Sequence, residues 1–198
     1  MMRNNVSTPL HVVVATGAVL VFAWTSVHPG SVARAQPAPS AMAAKAPATS
    51  VTILAHAAQE IGIRRCYDAV AQVSARVFDR SARADILLDW QRASPDVGPL
   101  FSLSGIEFSQ SSALLSLVTV PGIGGGCSVL AERISSAPLS CTQVARSELN
   151  GYHATQLVKS VMVYTESTRP RETVVLVDTP PSCLILRRQV QFQWGAVQ

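Results

Sequence analysis

Lysine is almost missing from this chain, and charged side chains are few overall. Of its 198 residues 14% are charged and 48% are hydrophobic, and Lys45 and Lys159 are the only lysines, so its basic character comes from arginine. A sequence this apolar does not belong to a disordered chain, because disorder requires low hydrophobicity and dense charge. Length and composition predict one globular domain with an appendage.

The positive charge is too small to predict nucleic-acid binding. The net charge is +4, of which two charges (Arg3 and Arg34) lie in an acid-free segment, 1–35, so residues 36–198 carry +4 − 2 = +2. Nucleic-acid binding domains depend on dense basic patches that neutralise phosphates. We therefore expect no nucleic-acid partner.

One long apolar run is present, and it lies near the N-terminus. LHVVVATGAVLVFAW begins at Leu10, shortly after Arg3, and the polar stretch after it ends in the small-x-small motif ARA at 33–35. This arrangement predicts a secretory signal peptide over 1–35, cleaved after Ala35. An uncleaved anchor helix is the alternative, because the run approaches the ~20 residues that span a bilayer. After cleavage we expect no membrane association.

The next segment, QPAPSAMAAKAPATS at 36–50, is rich in Pro, Ala and Ser. It has too little apolar surface to fold, so we interpret it as a flexible tether. A single globular domain is predicted over 51–198, with no internal repeat evident in the sequence.

The sequence has no C-x-x-C motif, and its histidines do not lie at metal-ligand spacing from cysteines. Four cysteines in an exported domain therefore predict disulfides rather than a metal or redox site. Four cysteines allow three pairings. We favour Cys127 with Cys141, which would pin the glycine-rich turn to the following helix, and Cys66 with Cys183, which would tie the first helix to the last strand.

The apolar spacing predicts an α+β domain. Residues 52–80 have the period of one long helix, and Ser140 with Gln143 forms a capping-box motif that starts a short second helix. Period-two segments predict strands at 85–90, 101–108, 112–120, 127–134, 157–165, 172–177 and 183–194. The result is an antiparallel sheet of six to seven strands, with both helices packed on one face. A change of parity at Gly105 predicts a bulge or bend in the second strand.

Three consecutive glycines, Gly124-Gly125-Gly126, raise the possibility of a ligand loop. A phosphate loop needs G-x-x-x-x-G-K-[ST], and dinucleotide and acyl-transfer sites need G-x-G-x-x-G and G-x-S-x-G; none of these motifs is present. We interpret the glycines as a hairpin turn that leads into Cys127. No cofactor or metal is predicted.

Catalytic groups are sparse. His56 and His153 are the histidines of the predicted mature chain, and neither has a recognisable partner. Asp85 and Asp89 share a strand face but lie about 13 Å apart by strand rise, which is wide for a retaining glycosidase pair. We assign no catalytic residue.

Arginine pairs are the remaining candidates for a ligand or partner contact. Arg64, Arg65, Arg187 and Arg188 would form one patch if the first helix and the last strand lay side by side; scattered, solvated arginines are the alternative. Arg188 interrupts the apolar face of the last strand, so it should pair with an acid or reach solvent.

The expected function is that of an exported, non-catalytic binding module in the bacterial periplasm or outside the cell. A chaperone, an inhibitor or an accessory subunit of an envelope or secretion assembly fits this description, with a protein partner docked on an open sheet face or edge strand. A small-ligand binder with a pocket between helix and sheet, and a small hydrolase, are the alternatives. The oligomeric state is left open.

Overall fold

The structure is a computed structural model that describes residues 51–195. The predicted signal peptide (1–35) and tether (36–50) lie outside the described residues. The helices are α1 (Ile53–Glu60), α2 (Tyr67–Val77) and α3 (Cys141–Glu148). The strands are β1 (Arg83–Trp90), β2 (Leu100–Glu107), β3 (Ser112–Pro121), β4 (Cys127–Ala137), β5 (His153–Val158), β6 (Val161–Thr165), β7 (Glu172–Thr179) and β8 (Ser182–Trp194). None of the helices within 51–195 is long and apolar enough to cross a bilayer.

The strands form one antiparallel sheet in the order β1-β2-β3-β4-β8-β7-β6-β5. This confirms the α+β class and the antiparallel sheet. The sheet has eight strands rather than six to seven, because the segment 157–165, predicted as one strand, is a hairpin. Val158 pairs with Val161 around the turn Lys159-Ser160. Apolar residues on both sides of this short turn make the two strands look continuous in the sequence.

Two helices, α1 and α2, stand where one long helix over 52–80 is expected, so that prediction is wrong. Gly62 has a φ of 93°, in the left-handed region. Its N–H donates to the Gln59 carbonyl (3.1 Å), and the N–H of Ile63 donates to the Ala58 carbonyl (2.9 Å). This pair of bonds is a Schellman motif, in which a left-handed glycine ends a helix and satisfies its last carbonyls.

The start of α3 confirms the predicted capping box. The Ser140 hydroxyl accepts from the Gln143 N–H at 3.3 Å, and the Gln143 side-chain carbonyl accepts from the Ser140 N–H at 3.1 Å. Both bonds satisfy donors that a helix start otherwise leaves without partners.

All three helices pack on one face of the sheet, which we call the helix face. α1 and α2 contact the β1–β4 half, and α3 contacts β7 and β8. The first core joins Leu54, Ala58, Val70 and Val73 of the helices to Leu100, Ile106, Leu115, Leu117 and Val129 of the strands. The second joins Val144 and Leu149 to Val174, Leu176 and Ile185. Residues that alternate with these along the strands, such as Leu103, Leu114, Ile134 and Leu186, form the opposite face, which we call the open face.

Strand β2 is regular, and the bulge predicted at Gly105 is wrong. Each residue of β2 has one partner on β1 and one on β3. Ser102 and Ser104 are buried on the helix face, and the Ser102 hydroxyl donates to the Leu117 carbonyl at 3.1 Å. The sequence suggested a change of parity because these buried positions hold serines while Leu103, on the open face, is apolar.

The disulfides join Cys66 to Cys127 and Cys141 to Cys183, with Cα–Cα distances of 5.5 and 4.9 Å. All four cysteines are therefore bonded as expected, but the predicted pairing is wrong. Cys127 begins β4 and Cys141 follows its other end, and a strand of that length extends about 33 Å. The strand therefore separates the two cysteines that lie closest in sequence.

From α2 onward, one order of elements occurs twice along the described chain. A helix, α2 or α3, is followed by a four-stranded meander, and a disulfide joins the beginning of that helix to the beginning of the fourth strand; the first half has α1 in addition. The fourth strands, β4 and β8, pair antiparallel at the centre of the sheet. Glu132 faces Arg188 midway along this pairing, so the halves are related by an approximate two-fold rotation about that point.

We predict that each disulfide stabilises its own half by a similar amount. The bonded cysteines are separated by 61 and 42 positions, and closing loops of this length stabilises a domain by about 4 kcal/mol in the chain-entropy description. Replacing either pair, Cys66→Ser with Cys127→Ser or Cys141→Ser with Cys183→Ser, should lower the free energy of unfolding by about 2–5 kcal/mol in guanidinium titrations. A peptide linking Cys127 to Cys141 in non-reducing digests would contradict the pairing.

Candidate functional site

The glycine-rich stretch is the turn of the β3–β4 hairpin, as predicted. Gly124, Gly125 and Gly126 have φ of 84°, 106° and 72°, which side chains with a Cβ rarely adopt. The Gly122 N–H donates to the Gly126 carbonyl at 3.0 Å and closes the turn. The chain then enters β4 at Cys127, so these glycines serve the turn and the disulfide beside it.

The structure does not bring the four candidate arginines into one patch. Arg64 and Arg65 lie between α1 and α2, where the backbone N–H of each donates to Asp96 Oδ1 at 2.7 Å. The Arg65 guanidinium also donates to the Gly122 carbonyl, at the glycine-rich turn. Arg187 lies on β8 at seven positions from Trp194, the residue paired with Cys127 beside that turn, which is about 23 Å along the strand.

Arg187 and Arg188 point to opposite faces of the sheet, because they are consecutive in a strand. Arg187 lies on the helix face, where its Nη2 is 2.6 Å from Glu148 Oε2 at the end of α3. Arg188 lies on the open face, with its Nε 3.2 Å from Glu132 Oε1. Arg188 thus pairs with an acid, one of the two arrangements expected from its place in the strand.

The candidate acid and base groups lie apart from one another. His56 is exposed on α1 with its Nδ1 3.7 Å from Glu60, and His153 is exposed at the start of edge strand β5. Asp85 and Asp89 are exposed on the other edge strand, β1. Within residues 51–195, no group of three or more His, Cys, Asp or Glu is placed to hold a metal ion.

The shifted pKa values belong to the turn between β6 and β7. The Thr168 hydroxyl donates to Glu166 at 2.8 Å, and Arg169 Nε lies 2.9 Å from the same carboxylate. The hydrogen bond from Thr168 is the largest cause that lowers the pKa of Glu166, and the charge of Glu166 in turn raises the pKa of Arg169. Both groups stay charged at neutral pH and hold the turn, so neither is suited to acid–base catalysis there.

The open face is an extended apolar surface that no element of the described chain covers. Leu87 (67% exposed), Phe101 (48%) and Leu114 (42%) are its most exposed members along β1, β2 and β3. Half-buried apolar residues continue it across the sheet at Val118, Leu130, Ile134, Leu184, Leu186, Val190, Val175, Val177 and Val163. Contiguous apolar surface of this kind is uncommon on monomeric proteins and marks interaction sites.

A depression lies within the open face around Gly105. It has a volume of about 400 Å³, and Leu114, Ile134 and Leu184 form part of its wall. A Cβ added at Gly105 would meet no atom within 4 Å, so the missing side chain opens the surface here. Arg83, Asp85 and Glu107 also line the depression.

The charges on the open face are few, and they lie at its centre and at its β1–β2 end. The Glu132–Arg188 pair lies at its centre, and Arg83 is paired with Asp85 at 2.8 Å on edge strand β1. Asp89 on β1 and Glu107 on β2 have no basic side chain within 4 Å in the part of the chain that the structure describes. The β1–β2 end of the face is therefore acidic.

The sequence carries a signal for this face that the strand prediction did not use. SALLSLVTV in β3 and CLIL in β8 place apolar residues at consecutive positions, rather than only at alternate ones. Such runs are typical of strands with apolar neighbours on both faces. Because the helices cover one face only, the second set of side chains is left at the surface.

Comparison with known proteins adds no constraint: no family model, no curated protein and no solved structure matches the chain. The open face and the charges around it are the features of the described chain that indicate a function.

We predict that Gly105→Val fills the depression without harming the fold. The φ of Gly105 is outside the left-handed region, and its Cβ position is open. Valine favours strands, so the free energy of unfolding should rise by about 0.5–1 kcal/mol. Gly62→Val is the matched control: φ is 93° there, and thermal and chemical denaturation should show a loss. A destabilised Gly105→Val would mean that the depression is closed or occupied in solution.

Proposed function

We propose that this chain is an exported, non-catalytic binding module that docks a protein partner on the open face. The observation that carries the proposal is the uncovered apolar surface that runs across the sheet from β1 to β6. Its partner supplies the layer that the chain's own helices supply on the other face.

The size of the open face suits a protein partner. Eight strands at a spacing of about 4.8 Å, with about 20 Å of strand length on the face, give roughly 750 Å². One partner contributes about 800 Å² to a stable interface of standard size. A small molecule occupying the Gly105 depression would leave most of this surface in water.

The charges on the face favour a protein over a membrane surface. Bilayer surfaces carry negative charge and attract Lys and Arg, whereas the β1–β2 end of the open face is acidic through Asp89 and Glu107. A partner with apolar side chains across the centre and basic residues opposite that end complements it. The central Glu132–Arg188 pair adds register, because misplaced partners would bury it without satisfying its remaining hydrogen-bond groups.

Export is supported by two independent features. Disulfides persist in oxidising compartments, and all four cysteines of the described domain form disulfides. The N-terminal segment has the pattern of a cleaved signal peptide, which predicts a periplasmic or secreted protein. A chaperone, inhibitor or accessory subunit of an envelope assembly is the class of function that these features suit.

The test is photo-cross-linking from defined positions in the native cell envelope. A photoreactive residue at Leu114, on the open face, should form an adduct of one mass with one envelope protein. The same residue at Gln72, exposed on α2, should not form it. Size-exclusion chromatography with light scattering should show that the isolated protein is not self-associated through this face.

Matched charge insertions make the test specific. Leu103→Lys places a charge beside the cross-linker and should abolish the adduct. Leu139→Lys changes a leucine of similar exposure, 45% against 40%, in the β4–α3 connection and should leave the adduct intact. Equal adducts from Leu114 and Gln72, or an adduct only with a second copy of the chain, would overturn the proposal.

A further inference from the structure

A second candidate site lies on the helix face, in the gap between α2 and α3. There the sheet floor is made by β4 and β8, and a cleft of about 210 Å³ opens above it. Its walls are apolar, and its polar groups are mainly guanidinium groups. Val73, Val77, Leu115, Ala131 and Val174 form the walls, and Arg76, Arg133, Arg187, Glu172 and Gln189 supply the polar side chains; Thr173 and Arg188, whose side chains belong to the open face, also border the cleft.

Arg133 and Arg187 are direct cross-strand neighbours on this floor. Side chains in such pairs have Cβ atoms about 5 Å apart, and like charges placed there destabilise a sheet. Glu148 compensates Arg187 at 2.6 Å. The charge of Arg133 is left to be balanced by something else.

Arg133 has no carboxylate within 4 Å among the described residues, and its Nε is buried without a hydrogen-bond partner. Its guanidinium lies 5.4 Å from the centroid of the Phe108 ring. This cation–π contact uses the charge but none of the N–H donors. A buried donor without a partner costs about 1–3 kcal/mol, so Arg133 is held here at a cost to stability.

Arg76 is the second guanidinium without an acid partner at this cleft. It lies 5.8 Å from the Trp194 ring centroid, and its Nε donates to the Gln72 carbonyl on its own helix at 3.3 Å. The acid in the cleft, Glu172, is 3.5 Å from Arg169 Nη1. Within residues 51–195, the cleft therefore presents two guanidinium groups that form no ion pair with a carboxylate.

We infer that this cleft binds a small carboxylate with a short apolar body. A carboxylate accepts two parallel hydrogen bonds from a single guanidinium, so one arginine of the cleft is enough to hold it. The apolar walls favour a monoanion over a phosphate dianion, whose second charge is costlier to desolvate and is repelled by Glu172. The volume is below the roughly 300–1,000 Å³ of pockets that hold drug-sized ligands, so the body should be a short chain.

The inference does not depend on the open face, because the cleft lies on the other side of the sheet. Its test uses hexanoate as the probe, titrated into the folded protein from Val51 to Gln198 with its two disulfides and followed by NMR chemical shifts and calorimetry. Shifts should map to β4, β8 and α2 around the cleft. Hexanol tests the need for the charge, and inorganic phosphate tests the need for the apolar body.

Arg133→Met should weaken hexanoate binding at least tenfold. It removes a buried unpaired donor and a like-charge contact, so the variant should be as stable as the parent protein and a failure to fold is not expected. Arg133→Lys keeps the charge but loses the paired donors of the guanidinium, so its hexanoate affinity should lie between those of the parent protein and Arg133→Met. Arg146→Met, an exposed position on α3, is the control and should bind as the parent does.

Four results would overturn the inference. Hexanol binding as tightly as hexanoate would show a cleft that selects only for apolar volume. Phosphate binding more tightly than hexanoate would identify an inorganic anion site instead. Unchanged hexanoate affinity in Arg133→Met, or shifts located away from β4 and β8, would show that the arginines of the cleft do not bind carboxylates.

Discussion

The pairing of β4 with β8 is the interaction on which the rest of the structure depends. These are the two longest strands, and each is the last strand of its own half. The core of the second half is small, since α3 buries only a few apolar residues on β7 and β8. A small core is marginal alone, and joining two meanders into one sheet increases the fraction of surface that each buries. The disulfides act at the starts of these two strands and hold each one to its own helix.

The register of this pairing decides which charges meet. Glu132 faces Arg188 on the open face, and Arg133 faces Arg187 on the helix face. A shift by one residue would move every side chain of β8 to the other face. It would break the Glu132–Arg188 pair. It would also place the apolar side chains of one β8 face where the polar side chains of the other face now lie. The charged residues therefore specify the register as well as marking surfaces.

Local features were predictable from the sequence because their causes are local. The capping box at Ser140, the hairpin turn at the glycines and the alternating strand β1 each depend on residues within one short segment. The cysteine pairing was not predictable in the same way. Cys127 and Cys141 are near in sequence, but the direction of β4 separates them, and only the helix packing shows that Cys66 lies beside Cys127. Gly62 is a helix-ending residue that the sequence shows, but the apolar spacing continues past it and suggested one uninterrupted helix.

The candidate surfaces were harder to predict because the packing of the helices decides which part of the sheet stays uncovered. Apolar residues on consecutive strand positions indicate two apolar faces, but the sequence does not say that α1, α2 and α3 all pack on the same one. That follows from the topology: both helix-to-strand connections lead back to the same side of the sheet, as the two-fold relation of the halves requires. The same relation leaves a gap between α2 and α3 over β4 and β8, so one symmetry accounts for the open face and for the arginine-lined cleft. Arg187 and Arg188, adjacent in the chain, thereby belong to two different surfaces, and each is balanced by an acid from a different element, Glu148 of α3 or Glu132 of β4.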